Sequence, residues 1–139
     1  MRILLAADGS EYTRRALDYL VEHDWLRPGN RLTVFTVALR VPHRAAAFAG
    51  PDLVRNYYED DAEQVLRPIR ERLAGSRAEV DYGHVVGHPA EAIALRAESD
   101  KADLIVMGSH GHGALANMVL GSVATGVLAR CRIPVLLVR

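Results

Sequence analysis

Only one cysteine, Cys131, occurs in the 139 residues, so no disulfide can form within the chain, and a reducing compartment suits it. Neither sign of charge is in excess. Seventeen basic residues meet seventeen acidic ones, which excludes the basic footprint of a nucleic-acid binder. No apolar run approaches the ~20 residues needed to cross a bilayer. The opening Met1-Arg2-Ile3-Leu4-Leu5 reaches Asp8 too soon for the apolar region of a secretory signal. These absences lead to the expectation of a cytoplasmic protein with no membrane and no nucleic-acid partner. Lysine is nearly missing too: Lys101 stands alone, a bias read as genome composition. No repeat, linker or low-complexity tract divides the chain, and its length suits one domain over residues 1–139. Catalytic signatures are also lacking. No nucleophile-elbow pattern accompanies the histidines, and His84 and His88 have no visible catalytic partner. His110 and His112 have no second spaced set of His, Cys or Glu, so they read as solvated loop residues rather than metal ligands.

What is present is a strict alternation of apolar runs and helix-period segments. Ile3 to Ala7 reads as a buried parallel strand, apolar on both faces. Ser10 is a good N-cap for a helix whose Ala16, Leu17, Leu20 and Val21 share a face. Pro28-Gly29-Asn30 closes that unit, and Arg31 to Ala38 forms the second strand. A loop is expected from Leu39 to Pro51. A long helix follows from Asp52 to about Ala74, with a kink at Pro68. Ala78 to Val86 is the third strand, and Pro89 opens the next helix after His88 at the cap position. Asp103 to Met107 is the fourth strand, a helix runs from about Gly121 to Arg130, and Pro134 to Val138 is the fifth strand. The order βαβαβαβαβ predicts an α/β protein: an open, doubly wound, five-stranded parallel sheet with helices on both faces. In such sheets ligands bind beyond the carboxyl ends of the strands, where the strand order reverses. If strands one and four are neighbours, the turns after Ala7 and Met107 face one crevice.

The turn after strand four holds the densest chemistry. Gly108, Gly111, Gly121 and Ser122 follow the apolar run Leu104-Ile105-Val106-Met107. Glycines after a buried strand let backbone approach a ligand, and a helix beginning beyond them aims N–H groups at it. That arrangement holds phosphate without a lysine. Gly108 and Gly111 also permit a tight turn, but the distant Gly121-Ser122 favours phosphate binding; for Ser122 an N-cap and a phosphate contact describe the same geometry.

The segments Ile3-Leu4-Leu5-Ala6-Ala7-Asp8-Gly9-Ser10, Val86-Gly87-His88-Pro89-Ala90-Glu91-Ala92-Ile93 and Asp103 through Gly111 strongly resemble the universal stress protein family, as does the ending Pro134 to Val138. The resemblance covers the whole chain. The spacing Gly-x2-Gly-x9-Gly-Ser resembles the ATP-binding branch. It implies a Rossmann-like, adenine nucleotide alpha hydrolase-like fold with ATP as cofactor, and ADP or AMP as alternatives. Asp8 matches the acidic residue near the nucleotide and its magnesium, while Ala6 and Ala7 match backbone that lines the pocket. Val37 matches the residue whose backbone meets adenine, and Met107 and Gly108 match positions at the ribose and phosphates. Gly111, Gly121, Ser122 and Val123 match the phosphate cradle. His112 departs from the pattern, standing where many relatives carry arginine or lysine; Ala116, Asn117 and Met118 also stand where basic residues are common. Protonating His110 and His112 is expected to strengthen nucleotide binding in mild acid.

The resemblance further implies a homodimer through the last strand. Val135-Leu136-Leu137-Val138 agrees with this, being apolar with no gatekeeping charge before Arg139. The leading expectation is a nucleotide-responsive regulatory dimer with an unknown protein partner. Slow magnesium-dependent ATP hydrolysis or phosphotransfer is the first alternative, and a nucleotide-free dimeric interaction module the second. No general base and no lysine or arginine aimed at a γ-phosphate is visible, so turnover is expected to be slow if present. Cys131 reads as a buried thiol, His43 and Arg44 as surface groups, and Trp25, Tyr57 and Tyr58 as core or edge packing.

Overall fold

In the computed structural model, residues 1–113 and 117–139 are described. The strands are β1 (Arg2–Ala7), β2 (Arg31–Ala38), β3 (Glu79–Val86), β4 (Leu104–Gly108) and β5 (Val135–Val138). The helices are α1 (Glu11–Glu22), α2 (His43–Ala49), α3 (Pro51–Arg72), α4 (Pro89–Ser99) and α5 (Ser122–Arg130). All pairings are parallel, and the sheet order is β3-β2-β1-β4-β5. The order reverses between β1 and β4, which lie side by side with Ala6 opposite Met107. The turns after those strands therefore leave the sheet together.

The period-two alternation of β1 divides the core. Ile3, Leu5 and Ala7 join Leu17 and Leu20 of α1 and Leu66 and Ile69 of α3 on one face. Leu4 and Ala6 join Ile93 and Ala97 of α4 and Ala124 and Val127 of α5 on the other. Both faces are covered, so β1 from Ile3 and β4 are apolar on both faces, and β2 admits only Thr33 and Thr36 among its buried residues. Trp25 packs on the first cluster as expected. Cys131 is half-buried at the margin of the second rather than fully enclosed, because it follows the last turn of α5.

Two stretches differ from the sequence expectation. The expected loop of residues 39–51 contains α2. Its sequence, His-Arg-Ala-Ala-Ala-Phe-Ala, is rich in the best helix former, but it buries no residue and so carries no apolar stripe. Gly50, at φ 86°, ends α2 and begins α3. Along α3, Pro68 lies on the exposed side and the helix continues through it to Arg72. Ser10 caps α1, its side chain accepting from Thr13 N–H at 3.4 Å.

The two sheet edges contrast. The β3 edge carries Glu79, Asp81 and His84, whereas β5 is apolar along its whole length and half-buried. No helix among the described residues is long and apolar enough to cross a membrane.

Candidate functional site

A cavity of about 580 Å³ opens at the carboxyl ends of the strands, at the reversal between β1 and β4. Its size falls in the range of small-ligand pockets. Ala6, Ala7 and Asp8 reach it from β1 and the turn beyond. Strand β2 contributes Phe35, Thr36 and Val37; its pairing with β1 ends at Thr36, so the strand runs on along the cavity. Met107 and Gly108 line it from the end of β4, followed by Gly111 and His112. Gly121, Ser122 and Val123 face it from the start of α5. All eleven candidate positions named from the sequence thus line one cavity: Ala6, Ala7, Asp8, Val37, Met107, Gly108, Gly111, His112, Gly121, Ser122 and Val123.

The glycines are explained by close approach within the protein, since none of the three has positive φ. A Cβ on Gly108 would sit 2.4 Å from Tyr12 Cβ and 3.0 Å from the His110 carbonyl oxygen. A Cβ on Gly121 would sit 3.1 Å from both His110 Cα and the Ser109 carbonyl oxygen. These two glycines close the loop on itself, and Gly121 N–H donates to Ser109 O at 2.7 Å. Gly111 differs: its Cβ would meet Asp8 Oδ2 at 2.6 Å. It therefore makes room at the cavity for a carboxylate oxygen rather than for backbone.

Asp8 divides its work between its two oxygens. Oδ1 accepts from Ser10 N–H at 2.9 Å and from the Thr13 hydroxyl at 2.8 Å, holding the β1-to-α1 turn. Oδ2 faces Gly111. Holding the turn thus occupies Oδ1 alone and leaves Oδ2 at the cavity.

The start of α5 has no side-chain cap. Gly121 occupies the N-cap and Ser122 the first helical position, which corrects the reading of Ser122 as the cap. Glycine has no side chain to accept the first-turn N–H groups, and Ser122, Val123 and Ala124 line the cavity. The positive end of the helix dipole therefore faces the cavity. His88 likewise sits at the N-cap of α4 without a side-chain hydrogen bond.

His110 and His112 are not free solvated groups. His112 Nε2–H donates to Asp8 O at 2.7 Å, tying the glycine loop to the β1 turn. His110 Nε2–H donates to Met118 O at 2.7 Å, so in the neutral ring Nδ1 accepts from the Ser109 hydroxyl at 2.9 Å. The His110 ring also lies against Tyr12, with centroids 5.2 Å apart. Ala116 lies outside the described residues, while Asn117 and Met118 are exposed and Met118 touches the cavity.

Sequence reasoning missed one wall. Tyr57, Asp61 and Val65 of α3 line the cavity. Tyr57 is 55% exposed and belongs to this wall rather than to the core or an edge. The signal was present as an i, i+4, i+8 stripe on the helix. Tyr58 points elsewhere and accepts Val41 N–H at 2.7 Å through its hydroxyl, anchoring the start of the α2 segment. His43 and Arg44 are exposed on α2 and do not line the cavity, as expected of surface groups.

The donor set suits an adenine nucleotide. Val37, Val65, Ile93 and Met107 offer an apolar slot, and the uncapped N–H groups and the Gly111 opening offer a phosphate cradle. Among the described residues, no group of three or more His, Cys, Asp or Glu forms a metal cage. A magnesium ion would be held by Asp8 together with phosphate oxygens, as is common for this cation.

A model of the universal stress protein family matches residues 1–139. A universal stress protein of Thermus aquaticus is 37% identical over 146 residues, covering 99% of this chain and 97% of that protein. The universal stress protein YxiE of Bacillus subtilis is 33% identical over 152 residues, covering 99% and 98%. The solved structure of MJ0577 from Methanocaldococcus jannaschii superposes with a TM-score of 0.85 at 29% identity, covering 99% and 94%. Two further structures share the fold. One is a universal stress protein in complex with cAMP, at TM-score 0.68 and 24% identity, covering 100% and 97%. The other is an Arabidopsis thaliana family member with AMP bound, at TM-score 0.70 and 13% identity, covering 99% and 90%.

Proposed function

The chain belongs to the universal stress protein family, and from that premise we propose that it binds an adenine nucleotide in the cavity at the β1–β4 reversal. The observation that carries this reading is the uncapped N-terminus of α5, facing that cavity across the Gly111 opening. The base sits in the apolar slot beside Val37 and Met107, and the phosphates meet the N–H groups of Ser122 and Val123. Family structures solved with cAMP and with AMP support the ligand class. ATP is the proposed physiological ligand, with Asp8 Oδ2 contributing to its magnesium.

The nucleotide acts as a conformational ligand. His110 and His112 tether the glycine loop to Met118 O and Asp8 O, and phosphate at the same loop shifts the population of surfaces shown to a regulatory protein partner. The chain works in the cytoplasm as a homodimer joined through the apolar β5 edge. The test is to denature freshly purified protein and identify released nucleotides by chromatography and mass, then to titrate the emptied protein. Bound or titratable adenine nucleotide supports the reading. Saturating nucleotide with no heat and no thermal stabilisation contradicts it.

A further inference from the structure

The charge lining the cavity is the wrong sign for a free polyphosphate. Among the described lining residues there is no lysine or arginine, while Asp8 and Asp61 both present carboxylates. Residues 114–116 are Ala-Leu-Ala, so that part of the loop adds no cation. The two histidines lining the site already donate Nε2–H to Met118 O and Asp8 O. Among the described residues, phosphate would meet neutral donors: the Ser122 hydroxyl, backbone N–H of the glycine loop, and those at the start of α5, where the dipole is equivalent to roughly half a positive charge. That field can balance a single phosphate group, but not the larger charge of a triphosphate set beside two carboxylates.

Resting on the adenine-nucleotide reading above, we infer that the site selects by phosphate charge. It takes a nucleoside monophosphate in preference to a free triphosphate, and takes the triphosphate more tightly with a divalent cation already bound to it. Asp61 is the specificity-determining residue. Asp8 has one oxygen committed to Ser10 and Thr13, and its other role is shared with any metal. The ion pairs of α3 among the described residues join Arg55 to Asp52, Arg70 to Glu63 and Arg72 to Asp18, and leave Asp61 outside them. Its charge is therefore not neutralised by its own helix.

The experiment is calorimetric titration of the full chain with adenosine, AMP, ATP in EDTA, and ATP with excess Mg²⁺, repeated on Asp61→Asn. AMP is expected to bind about tenfold more tightly than free ATP, with Mg²⁺ restoring most of the difference. Asp61→Asn is expected to tighten free ATP by roughly three- to tenfold and AMP by less. Thermal unfolding of Asp61→Asn checks that the variant is folded. Free ATP binding as tightly as AMP overturns the inference and leaves the nucleotide reading standing. So does an Asp61→Asn effect equal for both ligands. If none of the four ligands binds, the nucleotide reading fails and the inference with it.

Discussion

Replacing Gly108 with alanine separates two explanations of a glycine in a ligand motif. If Gly108 exists for the ligand, the change spares the empty protein. The structure assigns it to internal packing, because the new Cβ would lie 2.4 Å from Tyr12 Cβ, 3.0 Å from His110 O and 3.2 Å from the Tyr12 carbonyl carbon. Two of those neighbours are backbone, and Tyr12 Cβ moves only with α1, so the clash cannot be relieved by a side-chain rotation. Overpacking typically costs about 1–3 kcal/mol, and a contact this short belongs at or above the upper end. Reduced freedom of the unfolded chain returns about 0.4–1 kcal/mol. The net loss is about 2–3 kcal/mol, which for a chain of this size lowers Tm by roughly 6–10 °C. Calorimetric unfolding without nucleotide is the assay. Gly111→Ala serves as the internal contrast. Its Cβ meets only a side-chain oxygen of Asp8, whose withdrawal strains at most the bonds of Oδ1 to Ser10 and Thr13, so stability should fall by about 1 kcal/mol, less than at Gly108, while nucleotide binding is lost. A Gly108→Ala protein melting within about 2 °C of the parent refutes the packing argument.

Asp8→Ala removes the acceptor for Ser10 N–H and the Thr13 hydroxyl, and should destabilise the empty protein by about 1–2 kcal/mol in denaturant unfolding. Asp8→Asn keeps the Oδ1 acceptor, so it should retain stability while weakening Mg²⁺-dependent ATP binding measured by titration. Leu136→Lys places a charge on the β5 edge and should give a monomer or an insoluble protein in light scattering; a soluble dimer counts against that interface. Two hydrogen bonds from Arg70 hold the Glu63 carboxyl below its ordinary range. The sign follows from linkage: the pair stabilises the fold above the ordinary carboxylate range and loses that contribution as pH falls through the lowered value. Glu63→Gln should therefore flatten the acid side of a Tm-against-pH curve by a small amount, because the pair is exposed.

The fold was legible where physics repeats along the chain. Apolar strands such as Ile3–Ala7 and helices with an apolar stripe, such as α1, announce both their type and their buried face. The parallel α/β order followed from their alternation. α2 is not legible because it covers no core, so its sequence carries no stripe to set it apart from a loop. The site divides similarly. The glycine spacing and Asp8 mark the strand ends, but the wall formed by Tyr57, Asp61 and Val65 depends on how α3 lies across the sheet. Sequence shows that stripe without showing what it faces. The glycine spacing also looked like a statement about ligands, whereas Gly108 and Gly121 answer first to Tyr12, Ser109 and His110. His110 and His112 looked solvated because their acceptors are main-chain carbonyls, which no residue pattern displays.

The most direct test of the central claim is amide chemical-shift mapping of the isotopically labelled chain during titration with AMP and with Mg²⁺-ATP. The account predicts saturable shifts concentrated at Gly111, at Gly121 through Ala124, and at Thr36 and Val37 along the end of β2. Saturable shifts elsewhere, or no shifts at saturating ligand, contradict the assignment of this cavity as a nucleotide site.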